Sequence, residues 1–192
     1  MKRVFDVIAS AAALILGAPV MAAIACAVRV SSPGPILYRH TRIGKDYLEF
    51  DVLKFRTMRT GLVGANITSA GDPRITTVGR FLRQYKLDEL PQLLNVLRGE
   101  MSIVGPRPEV EEYVSLMSEY RSILSVRPGL TDPASLRYRH EQELLEAQDD
   151  PQRFYIDELL PEKVRLSKEY VETQSLIGDL VLIAQTLKGI VR

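Results

Sequence analysis

Residues 86–102 read KLDELPQLLNVLRGEMS, and the rest of the chain is organised around this stretch. Pro91 has no backbone N–H, so a helix tolerates it only in the first turn. Gly99 is the residue type that most often ends a helix. The stretch therefore predicts a helix that begins between residues 88 and 91, turns its leucines inward and stops at Gly99. Asp88 and Glu89 would lie at its N-terminus, where the helix dipole favours negative charge.

A charged helix start is the plain explanation for one Asp-Glu pair, so its neighbours must decide whether the pair carries chemistry. The 15 Lys and Arg of residues 1–108 outnumber 8 Asp and Glu, whereas residues 109–192 hold 10 against 16. A basic first half predicts contact with phosphates or an anionic membrane surface. Nucleic acid is not expected as a partner, because the sequence has no basic helix with interleaved aromatics and no nucleic-acid-binding motif.

An apolar run precedes the central stretch, from Val4 to Val28. About 25 helical residues measure roughly 37 Å, enough to cross a bilayer core of about 30 Å. A cleaved signal peptide is disfavoured, because the run is long and Asp6 interrupts it early. A spanning helix and a re-entrant hairpin broken at Pro19 both fit, since proline kinks a helix. Basic residues flank both ends, so the charges do not choose between them.

The rest of the chain predicts an α+β fold that is predominantly helical. Two short strands, at 35–39 and 50–56, are joined by a turn and form a hairpin. Apolar residues at helical spacing predict the later helices, which cover 74–85, 109–124, 161–173 and 175–190. Residues 60–72 are rich in glycine and small residues, which predicts a flexible loop able to close over a ligand.

The residue types point to phosphate chemistry. The sequence has no Ser-His-Asp set, no phosphate-binding loop of the GxxxxGK[ST] type and no His-rich zinc pattern. The lone Cys26 excludes an internal disulfide and a cysteine-cluster metal site within these 192 residues. Adjacent carboxylates can hold a divalent cation, and an aspartate can attack phosphorus. Arginine neutralises phosphoryl oxygens, and Arg107 is clamped between two prolines.

Several short motifs together carry a family resemblance: KRVFD at 2–6, KFRTM at 54–58, LDELPQL at 87–93, NVLRGEMS at 95–102, VGPRP at 104–108 and RPGLT at 127–131. Arg83, Tyr170, Ser175 and Asp179 add single matches. In this order they resemble the bacterial sugar transferases, the monotopic phosphoglycosyl transferases that begin glycoconjugate assembly. Each motif is weak alone, and the set covers nearly the whole chain.

The resemblance implies transfer of a sugar-1-phosphate from a UDP-sugar to polyprenyl (undecaprenyl) phosphate with release of UMP. Asp88 matches the family nucleophile, which forms a covalent aspartyl-phosphosugar intermediate. Glu89 matches its partner, which assists the metal and proton transfer, so Asp88 and Glu89 are also the expected ligands of Mg²⁺. The positions expected to contact phosphates are Lys54, Arg83, Arg107 and Arg127.

The resemblance also favours the hairpin for residues 1–30, a membrane helix-break-helix with its break at Pro19. Residues 31–192 would form one catalytic domain on the cytoplasmic face of the bacterial inner membrane, with amphipathic helices at the membrane interface. The lipid bilayer is then a partner, and a homodimer is left open.

Two places depart from the family pattern. Ala18 stands where a serine often precedes Pro19, and residues 132–135 replace the common Gly-Trp-Ala-Gln after the second Arg-Pro turn. These departures leave the sugar undecided. A non-catalytic, membrane-attached scaffold for envelope polysaccharide assembly is the alternative, although a scaffold has no need of the acid pair and its arginines.

Overall fold

The computed structural model describes residues 1–61 and 72–191. Most of the predicted loop at 60–72 therefore lies outside the described residues. The described helices are α1 (Lys2–Ser31), α2 (Thr77–Gln84), α3 (Gln92–Arg98), α4 (Glu111–Val114), α5 (Tyr120–Ile123), α6 (Pro133–Arg137), α7 (Glu141–Glu146), α8 (Pro151–Phe154), α9 (Leu160–Thr173) and α10 (Leu176–Val191). The described strands are β1 (Leu37–Ile43), β2 (Glu49–Phe55), β3 (Ser102–Val104) and β4 (Gly129–Thr131). The predominantly helical α+β class is confirmed.

The N-terminal apolar segment is a single long helix. The helical backbone of α1 continues through Pro19, so the predicted helix-break-helix is wrong as secondary structure. An interior proline removes one backbone hydrogen bond, and the other bonds of a 30-residue helix are enough to keep it helical here. Ile15 and Leu16 are 74% and 81% exposed. Within the described residues, α1 is the one helix that is long and apolar enough to cross a membrane, by length and composition alone.

Both ends of α1 are attached to the same folded body. Near the start, the buried carboxylate of Asp6 accepts a hydrogen bond of 2.8 Å from the Ser102 hydroxyl. At the other end, the buried Arg56 guanidinium donates to the carbonyl oxygens of Val28 and Ser32, at 3.3 and 2.6 Å. A helix C-terminus leaves carbonyls without partners, and Arg56 satisfies them.

The predicted hairpin is confirmed. Strands β1 and β2 pair antiparallel, with Tyr38 opposite Lys54 and His40 opposite Val52. Helix α3 fastens to this hairpin through the fully buried Asn95, whose side-chain oxygen accepts from the Leu53 backbone N–H at 3.0 Å. This contact places the residue next to it, Lys54, beside the start of α3.

The parallel pair β3 and β4 is a feature that the sequence did not predict, because three-residue strands carry no readable alternation. Ser102 pairs with Gly129. A Cβ atom on Gly129 would lie 2.1 Å from the backbone nitrogen of Gly105, so two backbones touch here and no side chain fits. This contact joins the turns that carry Arg107 and Arg127.

The C-terminal half builds the main core. The predicted helix over 109–124 is wrong, since α4 and α5 are separate one-turn helices. The Ser115 hydroxyl between them donates to the Glu112 carbonyl, which is the local competition that disfavours serine inside helices. The predicted last two helices are confirmed as α9 and α10, and the Ser175 hydroxyl accepts from the Gly178 N–H at the start of α10.

Candidate active site

The acid pair lies just before α3 and not within it. Leu87–Glu89 is a single 3₁₀ turn, and α3 begins at Gln92. Gly99 ends the helix in the left-handed conformation (φ +88°), as predicted. The predicted helix start, between residues 88 and 91, precedes the observed start at Gln92 by one to four residues. The two carboxylates are positioned by the 3₁₀ turn, where their side chains meet different surroundings.

Asp88 is a buried carboxyl group with one unpaired oxygen. The residue is only 7% exposed, and its side-chain atom Oδ1 has no hydrogen-bond partner in the described part of the chain. Burial raises the pKa of Asp88 above its ordinary 3.8, the charge of Glu89 raises it further, and Lys54 and Arg83 offset this only in part. The Oδ1 oxygen is buried and unpaired, so its capacity to bind a cation or a phosphoryl group is not used by the described part of the chain.

Glu89 has the opposite environment. The Arg107 guanidinium reaches both its oxygens, with Nη2–Oε1 at 2.5 Å and Nη1–Oε2 at 3.3 Å, and Lys54 Nζ lies 2.9 Å from Oε1. Burial acts to raise the pKa of Glu89, but the charges of Arg107 and Lys54 outweigh it and hold the pKa well below 4.5. The pKa values of these neighbouring acids are thus shifted in opposite directions, which is typical of catalytic pairs.

The structure brings together some of the predicted phosphate-binding cations and not others. Lys54 and Arg107 share Glu89; burial lowers the pKa of the Lys54 ammonium, and the Glu89 charge raises that of Arg107. Arg83 donates from Nε to the Thr57 hydroxyl at 2.9 Å, and burial lowers its pKa. Arg127 is exposed and donates from Nε to the Gly99 carbonyl at 2.7 Å, so it stands outside the Glu89 ion network.

The donor set fits a magnesium ion that is shared with a substrate. Among residues 1–61 and 72–191, no group of three or more His, Cys, Asp or Glu side chains is placed to hold a metal. Magnesium is commonly held by one or two carboxylates together with substrate phosphates. Asp88 supplies one unpaired oxygen, and Glu89 lies beside it. The pair therefore suits a magnesium ion that takes its other ligands from the substrate, and not a site in which the protein supplies every ligand.

A second buried ion cluster, next to the first, was missed by sequence reasoning. Glu109 binds Arg42 at 3.0 Å and the Tyr155 hydroxyl at 2.8 Å, with Lys163 Nζ 3.5 Å away. These residues are far apart in the chain, so spacing could not reveal them. The one available signal was the acid that directly follows the Arg107 turn.

Comparison with known proteins identifies the family. The profile described as "Bacterial sugar transferase" matches residues 1–192. The chain belongs to this family. The match includes all the motifs that carried the resemblance, from KRVFD at 2–6 to Asp179.

Relatives of this bacterial sugar transferase carry names that state their reactions. It is 40% identical over 196 residues to a UDP-glucose:undecaprenyl-phosphate glucose-1-phosphate transferase of Caulobacter vibrioides. It is 39% identical over 199 residues to the protein of that name in Escherichia coli K12. It is 34% identical over 197 residues to a UDP-N-acetylgalactosamine-undecaprenyl-phosphate N-acetylgalactosaminephosphotransferase of Aeromonas hydrophila.

These matches cover 98–100% of the bacterial sugar transferase described here, but only 69%, 40% and 43% of the three relatives, in that order. The shared part is therefore one module in the longer relatives. Their names agree on undecaprenyl phosphate and differ in the sugar, so family membership alone does not fix the sugar.

Proposed function

We propose that this protein transfers a sugar-1-phosphate from a UDP-sugar to undecaprenyl phosphate and releases UMP, as the first membrane step of glycoconjugate assembly. The observation that carries the proposal is the buried Asp88 with its unpaired oxygen beside the ion-paired Glu89. The relatives' names supply the substrate classes. A scaffold would not need a buried carboxyl group without a partner, which costs stability.

The reaction has two displacements at phosphorus. An Asp88 carboxylate oxygen attacks the β-phosphorus of the UDP-sugar, an O–P bond forms, and the bond to the bridging oxygen breaks with its electron pair leaving on UMP. A phosphate oxygen of undecaprenyl phosphate then attacks the same phosphorus. The bond to Asp88 breaks, its electron pair returns to the carboxylate, and the sugar leaves on an undecaprenyl diphosphate.

In the absence of substrate, the Glu89 carboxylate binds the cations that the diphosphate would otherwise bind. It occupies Arg107 and Lys54, the two cations best placed to neutralise phosphoryl oxygens. A diphosphate that binds these cations releases Glu89 for proton transfer or for the metal. Magnesium, held by Asp88, Glu89 and the substrate, would neutralise part of the diphosphate charge.

Labelling tests the covalent step. The wild-type protein is mixed with magnesium and UDP-glucose or UDP-N-acetylgalactosamine labelled in the sugar, without lipid acceptor. We expect UMP release together with label on a peptide containing Asp88, and loss of both in Asp88→Asn. Asp51→Asn, which changes an exposed acid on β2, should label normally. Turnover that survives in Asp88→Asn would contradict the covalent step, and the scaffold alternative predicts no UMP from the wild type.

We also infer that α1 bends at Pro19 while remaining helical, so that it enters and leaves the membrane by the same face, with the catalytic domain in the cytoplasm. One folded body holds Asp6 at one end of α1 and Ser32 at the other. A helix that crossed the bilayer would separate these ends by its whole thickness. The apolar middle, around Ile15, is the exposed part that lipid would cover.

Cysteine accessibility tests this topology. In a Cys26→Ser background, single cysteines replace Lys2 and Ser31, and a membrane-impermeant thiol reagent is added to each side of sealed vesicles. We expect both cysteines to react from the cytoplasmic side only. Reaction from opposite sides would show a spanning helix.

A further inference from the structure

The turn that carries Arg107 is fixed on both sides by buried carboxylates. The backbone N–H of Arg107 itself donates to Asp132 Oδ2 at 3.4 Å, and Asp132 is fully buried. Two residues later in the chain, Glu109 is 7% exposed, and its backbone carbonyl accepts from the Ile43 N–H at 2.9 Å. The Arg107 side chain is therefore carried on a backbone with little freedom.

The Glu109 carboxylate joins three separate parts of the fold. Oε2 accepts from Arg42 of β1 at 3.0 Å, and Oε1 accepts from the Tyr155 hydroxyl at 2.8 Å. Lys163 of α9 donates to the same Tyr155 oxygen at 3.1 Å and lies 3.5 Å from Glu109 Oε1. A movement of Glu109 would break several of these bonds together, so the cluster holds it in one place.

Tyr155 occupies an unusual backbone position. It begins the π-helical segment Tyr155–Leu159, and single π turns inside helices are rare and often lie at functional sites. Its hydroxyl points at Glu109, while Lys163 lies over its ring at 4.8 Å. Burial raises the pKa of Tyr155, so the hydroxyl keeps its proton and remains a donor.

A buried ion cluster is weak evidence for a contribution to stability alone. Removing charges from water costs free energy, and well-packed apolar residues often stabilise a core as well or better. The position of the cluster offers another use, since Glu109 stands two residues from Arg107. If a diphosphate replaces Glu89 on Arg107, the guanidinium loses its present protein partner, and only the backbone still determines its position.

We propose that Glu109 and Tyr155 are positioning residues, which act through Arg107 to keep its guanidinium aligned with the diphosphate of the nucleotide sugar. This inference rests on the proposed function. Glu109 holds the turn, and Tyr155 with Lys163 holds the Glu109 carboxylate. Neither residue needs to touch the substrate.

The chain offers a matched pair of variants for the test. Tyr113 and Tyr155 lie in the same core with ring centroids 5.0 Å apart, and the buried Tyr113 hydroxyl has no partner in the described part of the chain. We expect Tyr155→Phe to lower kcat/KM for the UDP-sugar about tenfold, because hydrogen bonds to charged groups are the stronger ones. Tyr113→Phe should stay within about twofold of wild type. Equal losses in the two variants would overturn the proposal.

A double-mutant cycle separates positioning from a general loss of structure. If Tyr155 acts through Arg107, its effect disappears once Arg107 is replaced, so Arg107→Ala with Tyr155→Phe should be no slower than Arg107→Ala alone. Glu109→Gln, combined in the same way, provides the second test if Tyr155→Phe folds poorly in a thermal melt. Losses that multiply in both cycles would overturn the proposal. A wild-type protein that releases no UMP would instead refute the proposed function.

Discussion

At the scale of single residues, two adjacent acids have acquired opposite properties. Asp88 is buried with one unpaired oxygen, and its pKa is raised. Glu89 is bound by Arg107 and Lys54, and its pKa is lowered. The sequence identified both residues and the cations around them. It did not predict which acid would be paired, because that depends on where β2 and the Arg107 turn lie in space.

Replacing Asp88 should stabilise the protein while it abolishes activity. A folded-state pKa above the ordinary value means that the ionised carboxylate destabilises the folded state at neutral pH, and this cost is absent in acid. Asp88→Asn should therefore raise Tm at pH 7.5 by about 2–4 °C for each kcal/mol of relief, while UMP release falls by roughly 10³-fold or more. Thermal melts in detergent check this, with Asp51→Asn as control. A lower Tm in Asp88→Asn would contradict it.

The acid limb of the pH profile should follow Asp88. Attack needs the ionised carboxylate, and burial with the Glu89 charge raises the pKa, so kcat/KM should fall off at a pH above 3.8 as the solution is acidified. Glu89→Gln removes the second cause and frees Lys54 to act on Asp88. We expect the limb of its residual activity to move to lower pH. Glu112→Gln, an exposed change on α4, should leave the limb in place, and an upward shift in Glu89→Gln would refute the assignment.

At the scale of elements, sequence patterns predicted the structure correctly where residues within an element or next to it determine where that element begins and ends. Gly99 ended α3, the Ser175 side chain caps the start of α10, and the two hairpin strands paired antiparallel as expected. The errors arose where distant contacts decide. The β3–β4 pair depends on backbones 24 or more residues apart meeting, and α1 stays helical through Pro19.

Arg56 should be a strong determinant of stability, because its guanidinium, directly after β2, donates to the carbonyl oxygens of Val28 and Ser32 at the C-terminal end of α1. Arg56→Ala would remove the guanidinium donor of the Ser32 carbonyl and one of the two side-chain donors of the Val28 carbonyl, which we expect to lower the free energy of unfolding by about 2–4 kcal/mol. Chemical unfolding in detergent measures this. Arg59→Ala, an exposed arginine nearby, should change it by less than about 0.5 kcal/mol. Similar effects in the two variants would show that the carbonyl contacts matter little.

At the scale of the whole molecule, the apolar surface lies beside α1. Helix α2 packs Leu82 against Ile24 and Val28 of α1, and its Phe81 and Tyr85 remain 56% and 38% exposed. Arginines flank these rings, which is typical of a helix at a membrane surface. The sequence predicted a basic amphipathic helix here, and the structure shows that this helix packs against α1.

Removing these rings should impair only the lipid step. In Phe81→Ser with Tyr85→Ser, UMP release without acceptor should be unchanged, whereas transfer to undecaprenyl phosphate in vesicles should slow by about 3–10-fold, because less apolar surface is buried in the interface. Tyr47→Ser, at the 48% exposed ring in the hairpin turn, is the control. An equal slowing of both steps would mean that α2 supports the active site instead of the lipid contact.

The backbone contact between Gly105 and Gly129 limits how this protein can be redesigned. Each glycine fills the space that a side chain on the other would need, so the two Arg-Pro turns form one unit that must be exchanged together. A redesigned turn that places a side chain at either glycine position would displace the Arg107 turn even if every contacting side chain were retained.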